Sequence, residues 1–329
     1  MKKKTFLSIA AVLCAAAYAS AGPKAAATEE IVKHAVKAGE SVSLICIDHF
    51  GYWSADLCKA ILKDNPALKD INVIAPGQFL VLRNPYYKPE KVAAEQKPAA
   101  AERKVAASQG VVTCVEGDAF LIPKGGTKRK LPVNTVVNPG DVIATQANGR
   151  VEIIIDRETV VRLKENTRLT VEAFRDPQAG ASKTKIGFTL GSVWAKMKRF
   201  KDKVSRFDLE LPTAIAGVHG TVYEASVEND SSSEVKVYTG EVAVKNNPAM
   251  HAPSGGEVGE VSGPSEVDGP SEVSMDQWVT IVRDMQKITI DKKGKPNPVE
   301  SFTRNEADSW EKWNMERDRR IAELFEESE

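Results

Sequence analysis

From Gly110 onward the chain keeps returning to one pattern, in which apolar and polar residues alternate with a period of two. Val151, Ile153 and Ile155 alternate with Glu152 and Asp156. Val161 and Leu163 alternate with Arg162 and Lys164, and Leu169 and Val171 flank Thr170. Val235 and Val237, then Val242 and Val244, lie on either side of a turn at Thr239-Gly240. A period of two places successive side chains on opposite faces of a strand. Short strands broken at regular intervals by turn residues restrict this region to an all-β sandwich, barrel or solenoid. Two later runs, Trp278-Val279-Thr280-Ile281 and Ile288-Thr289-Ile290, extend the series, and Gly125-Gly126-Thr127-Lys128 reads as a hairpin turn.

The segment before this region has a different period. Val42, Ile45, Cys46 and Phe50 recur at helical spacing, and Gly51 is a natural stop. Ser54 can cap a second helix whose apolar face is Leu57, Cys58, Ile61 and Leu62. That helix must end near Asn65, because Pro66 disfavours helical geometry in the residue before it. Val32–Val36 and Phe79–Leu82 read as short strands. The order is therefore strand, helix, helix, strand, a small α+β module over residues 31–84. Tyr52 and Trp53 stand between the helices, where aromatic residues close a small core or stack on a sugar.

The chain opens with Lys2-Lys3-Lys4, an apolar run from Phe6 to Tyr18, and Ala19-Ser20-Ala21. A basic start, short apolar core and small-x-small site describe a secretory signal peptide over residues 1–21. The competing reading, a lipoprotein anchored through Cys14, has Leu13 where a small residue is normally found. No later run is apolar enough to span a bilayer. Without the signal the chain has 42 basic and 45 acidic residues, a balance of −3. Such a balance gives no electrostatic case for a nucleic-acid partner. Periplasmic or other extracytoplasmic residence, on the cell wall, is the expectation. Cys46 and Cys58 then either pair as a disulfide or remain two buried thiols, and Cys114 reads as a buried free thiol.

Residues 85–109, with Pro85, Pro89, Pro98 and several alanines, read as a tether that lets the second module stand away from the first. The β region proper spans 110–247. Residues 248–274 contain Gly-Pro-Ser-Glu-Val twice and read as a flexible acidic loop. Residues 275–329 hold the last strands and an amphipathic helix. Its stripe of Trp310, Trp313, Arg317, Ile321, Leu324 and Phe325 is expected to pack on the β region.

Two resemblances follow. Val36-Lys37-Ala38-Gly39-Glu40-Ser41-Val42, Asn65-Pro66 and Ile74-Ala75-Pro76-Gly77-Gln78 together resemble a LysM domain. That resemblance implies binding of N-acetylglucosamine-containing glycan, chiefly peptidoglycan. The groove would use Gly39, Glu40, Ser41, Asn65, Pro66 and Ile74. Glu40 departs from the commoner Asp, and Ser43 stands where many members carry an aromatic residue. The second resemblance is to a FecR domain. It rests on Gly140-Asp141-Val142-Ile143, Val160–Thr167, Gly191-Ser192-Val193-Trp194, Pro212–Thr221 and Tyr238-Thr239-Gly240-Glu241-Val242. His219 occupies a position where that family usually carries Arg. FecR proteins proper relay an outer-membrane signal to an inner-membrane sigma-factor system.

No chemistry-bearing motif stands beside these. His34, His49, His219 and His251 form no zinc-binding pair, and the chain has no C-x-x-C, G-x-S-x-G or Walker loop. His219 has no nucleophile or orienting acid beside it in sequence and reads as structural. The basic run Lys196, Lys198, Arg199, Lys201, Lys203, Arg206 reads as a solvated strand edge. The sequence thus describes a multi-domain protein: a LysM-like βααβ module, a mainly β FecR-like domain and a C-terminal helix. No metal or cofactor is expected. The leading expectation is a non-catalytic envelope protein that binds peptidoglycan and presents its β domain to an unidentified envelope protein. The alternatives are a periplasmic signal-sensing regulator with a membrane partner, and a wall-active enzyme targeted by the first module.

Overall fold

A computed structural model describes residues 31–85, 109–155, 159–174, 183–198, 206–218, 220–248, 278–305 and 308–322. The expected signal with Cys14, most of the tether, His219, His251, residues 199–203 of the basic run, the side chain of Arg206, most of the acidic loop, Leu324 and Phe325 lie outside the described residues.

The first module has the expected order: β1 (Ile31–Ala35), α1 (Val42–Phe50), α2 (Ala55–Asp64) and β2 (Phe79–Arg83). Serine caps start both helices. Ser41 Oγ accepts from Leu44 N–H and Ser54 Oγ from Leu57 N–H, each at 3.2 Å. Gly51 ends α1 in the left-handed conformation, φ 86°, which glycine adopts without strain. β1 and β2 pair antiparallel, Ile31 opposite Arg83 and Ala35 opposite Phe79. The two helices differ in how they are covered. In α2 only Leu57 and Ile61 are buried, one stripe. In α1 Val42, Ser43, Leu44, Ile45, Cys46, Ile47 and Phe50 are buried, which is every side of the helix. A helix enclosed on all sides needs neighbours on all sides. Cys46 and Cys58 are free thiols rather than a disulfide, and burial, with Cys58 adding to it, pushes the Cys46 thiol up.

The β region comprises β3 (Gly110–Glu116), β4 (Ala119–Ile122), β5 (Arg129–Lys130), β6 (Val136–Val137), β7 (Val142–Thr145), β8 (Arg150–Ile155) and β9 (Thr159–Leu163). It continues with β10 (Arg168–Ala173), β11 (Lys183–Met197), β12 (Arg206–Glu210), β13 (Ala214–Val218), β14 (Val222–Val227), β15 (Ser233–Thr239) and β16 (Glu241–Asn246). It closes with β17 (Val279–Arg283), β18 (Gln286–Ile290), β19 (Glu300–Ser301) and the helix α3 (Ser309–Arg320). The strands make two layers. One runs β6-β3-β8-β9-β11-β14-β15-β18-β19. The other runs β5-β4-β7-β10-β11-β12-β13-β16-β17. β11 belongs to both: Lys183–Leu190 pairs in the second layer and Gly191–Met197 in the first. It changes layer at Gly191, φ 96°, where a Cβ would strike Thr167. Thr239-Gly240 is likewise a crossing between layers, since β15 and β16 pair with different strands. The inward rows of both layers, among them Val151, Ile153, Val161, Leu169, Phe188, Phe207, Tyr223 and Val237, form one core.

The first module does not stand away from this sandwich. Val111, Ile154, Val160 and Ile321 belong to the same apolar cluster as Val42, Ile45, Trp53 and Leu57. Asn134, held at φ 66°, is the polar hinge of the contact. Its Oδ1 accepts from Ser43 N–H (2.8 Å), and its Nδ2 donates to Ile71 O and Asn72 Oδ1 (3.1 Å each). Its carbonyl accepts from the Trp53 indole at 2.8 Å. Trp53 therefore closes the joint rather than stacking on a sugar, while Tyr52 donates to Asn84 Oδ1. The expected tether thus joins two bodies that share a core.

This joint makes two predictions. Denaturant unfolding followed by tryptophan fluorescence and by far-UV signal should give one coincident transition for both modules. Asn134→Ala should lower stability by about 1–3 kcal/mol, because it strands buried donors and acceptors. Separate transitions, or an unchanged midpoint for the variant, would contradict the shared core.

Candidate functional site

Most of the groove residues expected from sequence have internal partners. Gly39 is left-handed, φ 79°, and the Arg320 guanidinium lies against the place a Cβ would take. Its carbonyl accepts from Arg317 Nη1 at 2.7 Å, and the Ala38 carbonyl accepts from Arg320 Nη1. Glu40 Oε2 accepts from Lys37 N–H at 2.7 Å and lies 2.8 Å from His34 Nε2, while His34 Nδ1 is 3.0 Å from His49 Nε2. Ser41 is buried as the cap of α1. Asn65 Nδ2 donates to the carbonyls of Ile61 and Val81, and its Oδ1 accepts from Val81 N–H. It therefore fastens α2 to β2. Ile74 packs against the module's core and Pro66 is exposed. A cavity of about 180 Å³ remains between this turn and α3, bordered by Lys37, Glu40, Leu44, Arg319 and Arg320.

The element that closes the turn is α3. Asp308 caps it, accepting from Trp310 N–H at 2.7 Å. The expected stripe of Trp310, Trp313, Arg317 and Ile321 is buried. Trp310 and Trp313 stack with centroids 5.4 Å apart and join Trp194 and Tyr238 in a separate cluster. Arg317 reaches Glu152 with two nitrogens, Nε at 3.1 Å and Nη2 closer. Arg162 holds the same carboxylate at 2.9 Å through Nε, and Thr113 Oγ1 donates to it at 2.8 Å. Glu152 and Arg162 are wholly buried, and Asp318 balances the second guanidinium at 2.8 Å. Burial pushes Glu152 up, but the fields of Arg317 and Arg162 and the bonds from Arg317 and Thr113 outweigh it. The carboxyl is held at about 2. Burial pushes the Cys114 thiol beside this cluster up to about 11.

The alternation in β8 and β9 reads Glu152 and Arg162 as solvent-facing. They do face away from the sandwich core, but α3 covers them. They belong to a row that crosses the layer in register: Cys114, Glu152, Arg162, Trp194, Glu224, Lys236, Lys287, Glu300. One end of the row lies under α3. The other floors an open polar cleft of about 390 Å³, which Lys164, Ser192, Glu224, Lys236, Lys287, Asn305 and Glu311 help to line. Sequence reasoning missed this cleft because its members come from six segments and only strand register aligns them. Among the described residues no group of three or more His, Cys, Asp and Glu could hold a metal ion. No helix among them is long and apolar enough to cross a membrane.

Residues 141–243 match the family model described as FecR protein, so a FecR family domain occupies the centre of the sandwich. No curated protein matches the chain. Two crystal structures of a candidate anti-sigma factor from Parabacteroides distasonis are similar, at 15% and 16% identity and a TM-score of 0.33 each. They cover 49% and 53% of this chain, which spans 59% and 64% of theirs.

The Glu152 cluster sets an acid limit on the fold. A carboxyl whose folded pKa lies below its unfolded value stabilises above the unfolded value, and that contribution is lost as pH falls towards about 2. Glu152→Gln should cost about 3–5 kcal/mol at neutral pH, because it leaves the buried Arg317 guanidinium without its anion and Arg162 with Asp318 alone. Its unfolding midpoint should then vary less with pH in the acid range than that of the unmodified protein. Parallel acid titrations of the two proteins would contradict the assignment.

Proposed function

We propose that this protein is a non-catalytic extracytoplasmic regulator that acts through contacts of its FecR-like β domain with a membrane partner. In this reading the βααβ module is built into that domain instead of serving as a free wall anchor. The family match at 141–243 supports a regulatory role, since FecR proteins relay signals across the envelope. The signal-like pattern from Lys2 to Ala21 supports export.

One observation carries the reading. Of the groove residues the LysM resemblance implies, the Gly39 carbonyl, the Glu40 carboxylate, the Ser41 hydroxyl and the Asn65 amide are each engaged inside the protein. Binding a glycan there would first require breaking contacts between α3 and the turn. β17, with exposed Val279 and Ile281, offers the β domain a surface for protein contact instead.

Sedimentation with insoluble peptidoglycan separates the readings. Mature full-length protein should stay in the supernatant and release no soluble muropeptides. A photo-crosslinker placed at Val279 should give a discrete adduct with a membrane-fraction protein in intact cells. Saturable co-sedimentation would restore wall binding by the LysM-like module, and muropeptide release would indicate an enzyme.

A further inference from the structure

The cleft beside α3 places one phenol between two carboxyl groups. Tyr238 Oη lies 3.2 Å from Glu224 Oε2 and 2.9 Å from Glu311 Oε1. A phenol has one proton to donate, so it cannot serve two carboxylates at once. Glu224 comes from β14 in the sandwich, and Glu311 comes from the first turn of α3. All three side chains are buried or nearly so. The other oxygen of Glu311 accepts from Asn305 N–H at 3.1 Å. Glu311 thus has a backbone donor beside the phenol to hold its carboxylate, whereas Glu224 has the phenol, which makes Glu224 the better placed of the two to carry a proton.

We infer that α3 is held on the sandwich by a proton-operated latch, in which protonated Glu224 donates to Tyr238 and Tyr238 donates to Glu311. When Glu224 ionises, two carboxylates compete for one O–H in a largely buried contact at the edge of the cleft. The first turn of α3 then loosens. Asp308 and Glu311 line the cleft, so that movement opens its wall.

The surroundings of Glu224 agree with this assignment. Burial is the largest influence and pushes its carboxyl up, and Asp308 at the start of α3 pushes the same way. Lys236 on β15, the bond from Tyr238 and Lys164 after β9 pull it down, without reversing the direction. Lys236 is also bound to Glu234 at 3.0 Å, and Lys287 on β18 to the same carboxylate at 3.1 Å. The Arg304 guanidinium sits 5.1 Å over the Tyr238 ring. Burial, then Glu224 and Glu311, push the Tyr238 phenol up, so it keeps its single proton.

The sign is opposite to that of Glu152. A carboxyl whose folded pKa is raised binds its proton more tightly when the latch is closed. Opening should therefore increase by about tenfold per pH unit above the ordinary carboxylate value, and level off past the raised one.

Hydrogen–deuterium exchange of residues 309–320, corrected for intrinsic rates, reads this directly on the full-length protein between about pH 4 and 9. Exchange should rise with pH in the unmodified chain and stay low and flat in Glu224→Gln, whose amide donates to Tyr238 at every pH. Glu311→Gln provides an independent check. Its amide can donate to Tyr238, which then donates to ionised Glu224, so this variant should also lose the pH dependence. If both amide variants keep the rise of the unmodified protein, or if the unmodified protein shows none, the latch is refuted.

Discussion

The fold depends most on one carboxylate with two guanidinium partners. Glu152, Arg162 and Arg317 meet inside the protein, and none of the three could be buried alone without a large penalty. Arg162 is the cross-strand neighbour of Glu152, so the sandwich itself brings one cation. The second comes from α3, which must dock for the charge to be completed. Arg317 then extends past Glu152 to the Gly39 carbonyl. One side chain thereby connects β8, the C-terminal helix and the first module.

The position of the first module follows from that connection. Its helix α1 is enclosed because β3, β8 and β9 lie on one side and its own module on the other. Asn134 and Trp53 supply the polar fixings at one end of the contact, and Arg317 and Arg320 supply them at the other. A βααβ unit fastened at both ends has little freedom to act as an independent anchor. Its turn at Ala38–Ser41 has become part of a joint. The open polar surface lies elsewhere, over Glu224, Lys236 and Lys287, where the register row emerges from beneath α3.

Much of the local structure was legible in the sequence. Gly51, Ser54 and Pro66 marked helix ends within a residue, because caps and proline act locally. The strands over 151–155, 161–163, 235–237 and 242–244 followed from their alternation, and the Trp310–Ile321 stripe identified the buried face of α3. Alternation also misled, since it marks which face a residue takes without saying what covers that face. Ile154 and Val160, apolar at positions otherwise polar, were the available sign that this face is covered. Ser43-Leu44-Ile45-Cys46-Ile47 was the corresponding sign in α1, a stretch too apolar for a helix packed on one side only. The cleft and the Glu224–Tyr238–Glu311 chain had no local sign, because they arise from register between strands far apart in sequence.

The central claim is that first module, sandwich and α3 behave as one body. Native-state amide exchange under increasing denaturant tests it most directly. The account predicts that the slowest amides of α1, β8 and α3 open together, with one free energy and one denaturant dependence. Amides of α1 that open at a lower free energy and with a smaller denaturant slope than those of β8 would show a separately folding module, and would contradict it.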